Sequence, residues 1–163
     1  HNQSRRQRQM CIRDRWARFQ CGDFEVLACH GSPRRVNEFL WESNSSDAFL
    51  NRLLDQFDCD VLLCTHTGIK WHRALGGRRH VINVGALGRP ENDGTQNVWY
   101  TSLRPEGSEL KVDFVPVEYE AERLAFEMRR EGLPDEFIET TLTGWWTTCL
   151  EVLPARERSK GIH

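Results

Sequence analysis

The sequence predicts an α/β fold, and three observations support this. First, two short apolar segments, residues 24–30 and 60–66, flank an amphipathic helical segment at residues 45–57. Second, residues 71–117 change to the alternating apolar pattern of antiparallel strands. Third, two helical segments follow between residues 119 and 144. A chain of 163 residues with 39% hydrophobic and 28% charged residues can bury a core in one domain.

The first unit is predicted to be strand, helix, strand, with a histidine, His30 or His66, ending each strand. Between them Asp47 favours a helix start, and the apolar residues form one helical stripe: Phe49, Leu50, Leu53, Leu54 and Phe57. A right-handed crossover of this kind makes the strands parallel, so both carboxyl ends lie at one edge of the sheet. Neighbouring strands are about 4.8 Å apart, and the pair is therefore predicted to reach one metal ion. Taken singly, either histidine could instead be a loop or core residue bonded to the backbone.

The middle of the chain is predicted to be antiparallel. Residues 71–75 and 79–84 indicate a hairpin around a glycine turn, and the glycines and proline of residues 85–94 indicate a long loop. Residues 97–103 and 110–117 indicate two more strands joined by a turn at residues 105–107. The second of them places three apolar side chains on one face: Leu110, Val112 and Phe114.

Two amphipathic helices are predicted next. The first, residues 119–131, has Leu124, Ala125 and Met128 on its apolar face and is stopped by Gly132 and Pro134. In the second, Asp135 is predicted to cap the helix, which ends at Gly144 and turns three side chains inward: Phe137, Ile138 and Leu142. Trp145 and Trp146 follow, and we interpret them as a packing plug rather than a binding surface.

The start of the chain differs in charge from the rest. Residues 1–18 hold six arginines and one acid, a formal charge of +5, whereas the remainder holds 16 basic and 23 acidic residues, or −7. Residues 9–15 resemble a translated sequencing adaptor, so we interpret residues 1–20 as a non-native or disordered basic leader. The rival interpretation is a nucleic-acid-binding arm, although no interleaved aromatic residues support it. We divide the remainder into a partial domain, residues 21–144, and a carboxy-terminal extension, residues 145–163.

The cysteines and the lengths of the apolar segments indicate the cellular compartment of the protein. The six cysteines are scattered without a CxxC pair, which argues against a structural zinc ribbon, and three lie in or beside apolar strands: Cys29, Cys59 and Cys64. No apolar run has the length of a membrane span, and no signal-peptide run follows the amino terminus. We therefore expect a cytoplasmic protein without a membrane partner.

Three motifs occur in a recognisable order. Residues 30–33 read His-Gly-Ser-Pro after the first strand, residues 65–68 read Thr-His-Thr-Gly after the second, and an asparagine and glycine-rich loop spans residues 83–94. In this order they resemble the calcineurin-like metallophosphoesterases, in the branch of small bacterial phosphodiesterases and phosphatases. The resemblance covers residues 24–142.

The resemblance implies a sandwich of two β-sheets flanked by helices, truncated at its amino-terminal end. It also implies two divalent cations, for which imidazole ligands favour Mn, Fe or Zn. Such a pair activates a water that attacks phosphorus. His30 and His66 would each supply a ligand, and His72 is a weaker candidate for a third. Arg89 is a candidate phosphate contact, because guanidinium groups match phosphate oxygens, although it could equally be a surface arginine.

Two departures from the family pattern shape the expected function. The second histidine of the family's GHxH motif is Gly68 here, and the DxH, GD and GNH motifs have no match in this sequence. The expected function is hydrolysis of phosphomonoesters or phosphodiesters, small molecules or nucleotides, with this chain an incomplete and inactive fragment. The alternative is a non-catalytic nucleotide- or protein-binding module with a decayed metal site.

Two further residues or segments that resemble site motifs are expected to be structural. His80 is expected to be a packed hairpin residue, and residues 22–23 are expected to form a turn.

Overall fold

The structure, a computed structural model, describes residues 16–160. The strands are β1 (Trp16–Cys21), β2 (Phe24–Cys29), β3 (Val61–Cys64), β4 (Trp71–Ala74), β5 (His80–Asn83), β6 (Val98–Glu106) and β7 (Glu109–Val117). The helices are α1 (Asp47–Gln56), α2 (Ala121–Arg130), α3 (Asp135–Thr143) and α4 (Ala155–Arg158), with a 3₁₀ turn at Leu150–Val152. The predicted α/β class is confirmed.

The strands form two sheets. The larger has the order β1-β2-β3-β5-β4, in which β2, β3 and β5 are mutually parallel and the outer two strands are antiparallel to their neighbours. The smaller is the β6–β7 hairpin. The predicted strand, helix, strand unit is therefore confirmed, and its two strands are immediate neighbours.

Helix α1 covers one face of the larger sheet. The Ser46 hydroxyl accepts a hydrogen bond from the backbone N–H of Phe49, and Asp47 lies in the first turn, where the helix dipole favours a negative charge. The apolar stripe is buried against the sheet in one cluster with side chains from four strands: Leu50, Leu53, Leu54, Leu27, Leu62, Trp71 and Val81. The predicted apolar stripe is therefore the face through which α1 packs on the larger sheet.

The other face of the larger sheet packs against the smaller sheet. The shared cluster contains side chains from both: Phe24, Val26, Val61 and Ile82 from the larger, and Leu103, Leu110, Val112 and Phe114 from the smaller. The predicted sandwich of two sheets is confirmed, as is the common face of Leu110, Val112 and Phe114. The hairpin turn lies two residues later than predicted, at residues 107–108, because Pro105 and Glu106 still pair with β7.

Strand β1 extends into the segment predicted as a basic leader. It pairs with β2 along its whole length, from Trp16 opposite Cys29 to Cys21 opposite Phe24. Arg18, one of the arginines of that segment, donates from its guanidinium to the carbonyl oxygen of Asp58 at 2.9 Å. The remaining five arginines belong to residues 1–15, which lie outside the described residues. The predicted turn at residues 22–23 is confirmed.

The two later helices pack on each other and show two corrections. Pro134, not Asp135, is the residue before α3, and no side chain caps its amino terminus; Asp135 is the first helical residue. Ile138 is buried as predicted, but Phe137 is 44% exposed and Leu124 is 42% exposed. Both side chains therefore lie on the solvent side of their helices. Gly144 ends α3 with a left-handed φ of 72°, as predicted.

The helices within residues 16–160 are all too short or too polar to cross a bilayer.

Trp146 is buried in a cluster with Trp41 and Leu153, so its predicted role in packing is confirmed. Its indole N–H donates to the carbonyl oxygen of Pro90, and its backbone N–H donates to the side chain of Asn92. Trp146 therefore binds the 85–94 loop to the carboxy-terminal part of the chain.

Candidate functional site: a histidine pair at the sheet edge

His30 and His66 meet at the carboxyl edge of the parallel strands. Val26 of β2 lies opposite Val61 of β3, and each histidine follows the last residues of its strand. Nε2 of His30 lies 2.9 Å from Nδ1 of His66, and the ring centroids are 4.8 Å apart at an interplanar angle of 70°. The predicted proximity is confirmed, whereas the role of the pair as metal ligands stays a prediction.

The backbone of His66 is in an uncommon conformation. Its φ is 80°, a left-handed value that costs about 1–2 kcal/mol for a residue other than glycine. Phe39 stacks on the imidazole with a centroid distance of 4.3 Å, and Thr65 before it donates its hydroxyl to the carbonyl oxygen of Gly85. Surrounding contacts thus hold a strained residue in place, a pattern concentrated at functional sites.

The surroundings of His66 favour its neutral form. Partial burial, and next the nearby His30, lower the pKa of His66 below its ordinary value. The neutral form of His66 therefore predominates at neutral pH, with one ring nitrogen donating and its neighbour accepting. Neutral imidazole is also the form that binds metal ions.

The His-Gly-Ser-Pro segment folds tightly behind His30. The Ser32 hydroxyl accepts from the backbone N–H groups of Arg34 and Arg35 at 3.1 Å each, and it donates to the Glu38 carboxylate. Gly31 has a φ of 70°, and a Cβ there would lie 2.5 Å from the carbonyl oxygen of Val36. The glycine and serine of this motif therefore shape the turn that aims His30, rather than supplying further ligands.

Gly68 stands where the family pattern has a second histidine. Its φ is 72°, and a Cβ at this position would lie 2.9 Å from Cη2 of Trp146. The indole thus covers the place that a second histidine side chain would occupy. The sequence alone did not reveal this contact, since the two residues are distant in the chain.

The structure does not bring His72 to the histidine pair. Nε2 of His72 lies 3.0 Å from Nδ1 of His80, and His80 pairs with Val61 at the amino-terminal end of β3. His66 lies five residues beyond Val61, or roughly 16 Å along an extended strand. His80 is 7% exposed, as expected for a packed residue. In the described residues, no three His, Cys, Asp or Glu side chains are arranged to hold a metal ion.

The His72 and His80 pair predicts a loss of stability in acid. Burial lowers the pKa of both below their ordinary value, and the charge of His80 lowers that of His72 further. Below about pH 6.5 the unfolded chain takes up protons that the folded chain does not, so stability should fall as pH drops from 7 to 5.

Urea unfolding at several pH values would measure this. The double variant His72→Gln/His80→Gln should show a shallower decline than the wild type. The test compares how steeply the free energy of unfolding falls with pH in the two proteins. This comparison is needed because His66 also has a lowered pKa and Glu91 a raised one, and both contribute equally to the two slopes. Equal slopes would contradict the prediction.

Arg89 is half-buried rather than a free surface arginine. Its guanidinium carbon lies 3.9 Å from the ring centroid of Trp146, and Nε and Nη2 are buried without a hydrogen-bond partner. Burial lowers its pKa. Because Trp146 also contacts Gly68, the indole links Arg89 to the loop that follows His66. Two unused donors on a guanidinium are suited to an anion, but a phosphate contact stays a prediction.

The buried cysteines are packing residues. Cys21, Cys29, Cys59, Cys64 and Cys149 are all free. Burial raises the pKa of Cys29 to about 12 and that of Cys59 to about 11, and it raises that of Cys64 as well. These thiols remain protonated and are poor nucleophiles, which agrees with their interpretation as small hydrophobic residues.

Comparison with known proteins identifies the fold. A hypothetical protein from Pyrococcus horikoshii matches 85% of this chain with a TM-score of 0.67 and 19% identity. A metallophosphoesterase from Sphaerobacter thermophilus matches 78% of it with a TM-score of 0.57 and 24% identity. No protein-family model and no curated protein matches the sequence.

The chain has the fold of a metallophosphoesterase, and the predicted resemblance is confirmed at that level. It spans 54% and 58% of the lengths of the two similar structures. Fold alone does not establish an activity.

Proposed function

We propose that this chain contributes to a metal-dependent phosphoesterase that hydrolyses phosphomonoesters or phosphodiesters. The observation that carries the proposal is the contact between His30 and His66 at 2.9 Å, at the carboxyl edge of parallel strands. That edge is where open α/β sheets bind ligands, and the fold is one that a metallophosphoesterase adopts.

The described residues do not by themselves fit a two-metal centre. The two imidazoles could each donate one nitrogen, and such ligands suit Mn, Fe or Zn. They cannot neutralise two divalent cations, and residues 16–160 provide no third His, Cys, Asp or Glu side chain to join them. We therefore propose that carboxylate ligands come from outside these residues, and that the isolated chain is inactive.

Arg89 is the residue we propose for substrate binding. Its two unpartnered donors favour a phosphate group, since charge-assisted hydrogen bonds to phosphate oxygens are strong. The proposed substrate is accordingly a phosphate ester, either a small molecule or a nucleotide. We also propose the cytoplasm as its location, where free thiols stay reduced.

The test uses the full-length product of the reading frame that contains this chain, called the parent below. This protein should hydrolyse bis-p-nitrophenyl phosphate or p-nitrophenyl phosphate faster when Mn²⁺ is added, and His66→Ala should lower the rate by about 100-fold because a ligand is lost. His80→Gln, which lies away from the pair, serves as the matched histidine control. Metal content measured on the same samples gives a second readout. A parent that binds no metal and hydrolyses neither ester would overturn the proposal.

One observation favours the alternative of a non-catalytic binding module. Gly68 replaces a ligand, and Trp146 fills the adjacent space. If the metal site has decayed, the purified parent should contain no stoichiometric transition metal but should bind a nucleoside monophosphate, with Arg89→Gln weakening that binding. A stoichiometric pair of metals would exclude this alternative.

A further inference from the structure

A row of aromatic rings leads from the carboxy-terminal part of the chain to the candidate site. Trp146 and Trp41 pack in one buried cluster. The Trp41 ring lies nearly parallel to that of Phe39, with a centroid distance of 5.3 Å and an interplanar angle of 5°. Phe39 in turn stacks on His66 at 4.3 Å and 30°, and His66 contacts His30. Phe39 thus connects the buried Trp41 to the histidine pair.

The backbone that carries Phe39 and Trp41 is anchored between these two residues. Leu40 is 1% exposed, and its carbonyl oxygen accepts a hydrogen bond from the indole N–H of Trp71 at 2.9 Å. Phe39 itself is 38% exposed, whereas Trp41 is 6% exposed, so the row of rings runs from the interior to the surface. The phenyl ring that contacts His66 therefore projects from a fixed stretch of chain.

The carboxy-terminal segment holds the loop after β2 at two points. Trp41 packs against Trp146 and Leu153, both of which are buried. Farther along, the Glu157 carboxylate accepts hydrogen bonds from the backbone N–H of Ser43 at 3.0 Å and from its hydroxyl at 2.5 Å. Glu157 is 4% exposed, and a buried carboxylate is costly unless it is hydrogen-bonded. The loop and the carboxy-terminal segment are therefore packed as one unit.

Two contacts of different kinds define the orientation of the His66 ring. A hydrogen bond to an imidazole nitrogen lies near the ring plane, so the contact with Nε2 of His30 fixes the position of Nδ1. The stack on Phe39 lies against the ring face and opposes rotation of the plane. The bond that one imidazole nitrogen makes decides whether the other carries the proton. The two contacts together should keep His66 in one orientation and one tautomer.

We propose that Phe39 is a positioning residue for the proposed phosphoesterase reaction. It holds the imidazole of His66 in the orientation that meets His30, and Trp41 and Leu153 hold Phe39 in place from the side of the carboxy-terminal segment. The catalytic part of this inference rests on the proposed function, because it requires that His66 acts in hydrolysis. The structural part rests on the contacts of this chain alone.

The experiment records the nitrogen NMR signals of the imidazole rings in the full chain with isotope-labelled histidine, at alkaline pH where histidines are neutral. One tautomer gives widely separated Nδ1 and Nε2 signals, whereas exchange between tautomers averages them. The His66 signals, identified by their loss in His66→Gln, should be separated in the wild type and averaged in Phe39→Leu, which keeps apolar bulk without a flat ring. Phe39→Tyr keeps the ring and should restore the separation. The His72 and His80 signals serve as the internal control.

A second pair of variants tests the carboxy-terminal segment. Leu153→Ala removes packing beside Trp41 and should move the two His66 signals toward each other. Val152→Ala changes the neighbouring residue, which is 40% exposed, and should leave them separated. If Phe39→Leu or Leu153→Ala does not fold, Phe39→Met or Leu153→Val takes its place, with the same expected direction.

Hydrolysis of bis-p-nitrophenyl phosphate by the parent gives the catalytic readout. Phe39→Leu should lower kcat by about tenfold with little change in KM, because a misplaced ligand slows the reaction more than it weakens binding. Phe39→Tyr should stay close to the wild type. A role in stability alone would lower the free energy of unfolding but leave kcat and the nitrogen signals of the folded protein unchanged.

Three NMR results would overturn the role of Phe39: averaged His66 signals in the wild type, separated signals in Phe39→Leu, or averaged signals in Phe39→Tyr. Separated signals in Leu153→Ala would overturn the part assigned to the carboxy-terminal segment. An active parent whose kcat is unchanged in Phe39→Leu would overturn the catalytic part. A parent that hydrolyses no ester would instead overturn the proposed function, and the nitrogen signals would still decide whether Phe39 positions His66.

Discussion

Replacing Trp146 by alanine is expected to lower the free energy of unfolding by about 3–5 kcal/mol. Trp146 is 4% exposed and packs with Trp41 and Leu153. The variant would leave a cavity, remove the hydrogen bond to Pro90, and expose the guanidinium that stacks on the ring. A loss of this size is a large fraction of the roughly 5–15 kcal/mol by which native domains are stable.

Urea unfolding followed by circular dichroism would measure the loss. Trp16→Ala is the matched control, because Trp16 is 38% exposed on an outer strand, and its loss should cost about 1 kcal/mol or less. If the Trp146→Ala variant does not fold, Trp146→Phe gives the informative measurement, since it keeps most of the packing and removes the indole donor. Equal costs for Trp146→Ala and Trp16→Ala would contradict the structure.

Gly144→Ala is expected to cost about 3 kcal/mol or more, the second large effect. The residue has a φ of 72°, and a Cβ would overlap the backbone of Thr95. The neighbour cannot move freely, because Gly94 beside it donates its N–H to the carbonyl oxygen of Gly144 at 3.2 Å. Both conformational strain and steric overlap therefore oppose the substitution.

Gly107→Ala separates these two causes. Gly107 has a φ of 62° in the hairpin loop, but nothing lies within 4 Å of where a Cβ would be. This variant should cost only about 1 kcal/mol, the strain of the left-handed conformation alone. The difference in unfolding free energy between the two variants measures the close approach of α3 to Thr95. If they cost the same, the approach is looser than the structure indicates.

Local patterns were sufficient to predict the elements of this fold. The stripe from Phe49 to Phe57 predicted α1 because helical periodicity is visible within ten residues. Glycine turns placed the hairpins for the same reason. The bounds of the 107–108 turn and the start of α3 were each missed by one or two residues. A different error concerns tertiary context: Phe137 has an inward spacing, yet its exposure depends on which element lies opposite, and that information is not local.

For the candidate site, the sequence predicted one contact and missed two other features. The proximity of His30 and His66 followed from a short crossover, which forces parallel neighbours. The position of His72 could not be predicted, because it depends on which face of β4 its side chain takes. Nor could the contact between Gly68 and Trp146, since it joins residues far apart in sequence and no spacing rule relates them.

That contact makes two positions interdependent. A Gly68→His substitution, intended to restore the missing ligand, would meet the indole of Trp146 and the left-handed backbone together. The same histidine introduced after Trp146 is reduced in size would meet only the backbone strain. The two substitutions should therefore be strongly non-additive. A histidine can be accommodated at position 68, at the sheet edge, only after residue 146 in the carboxy-terminal part of the chain has become smaller.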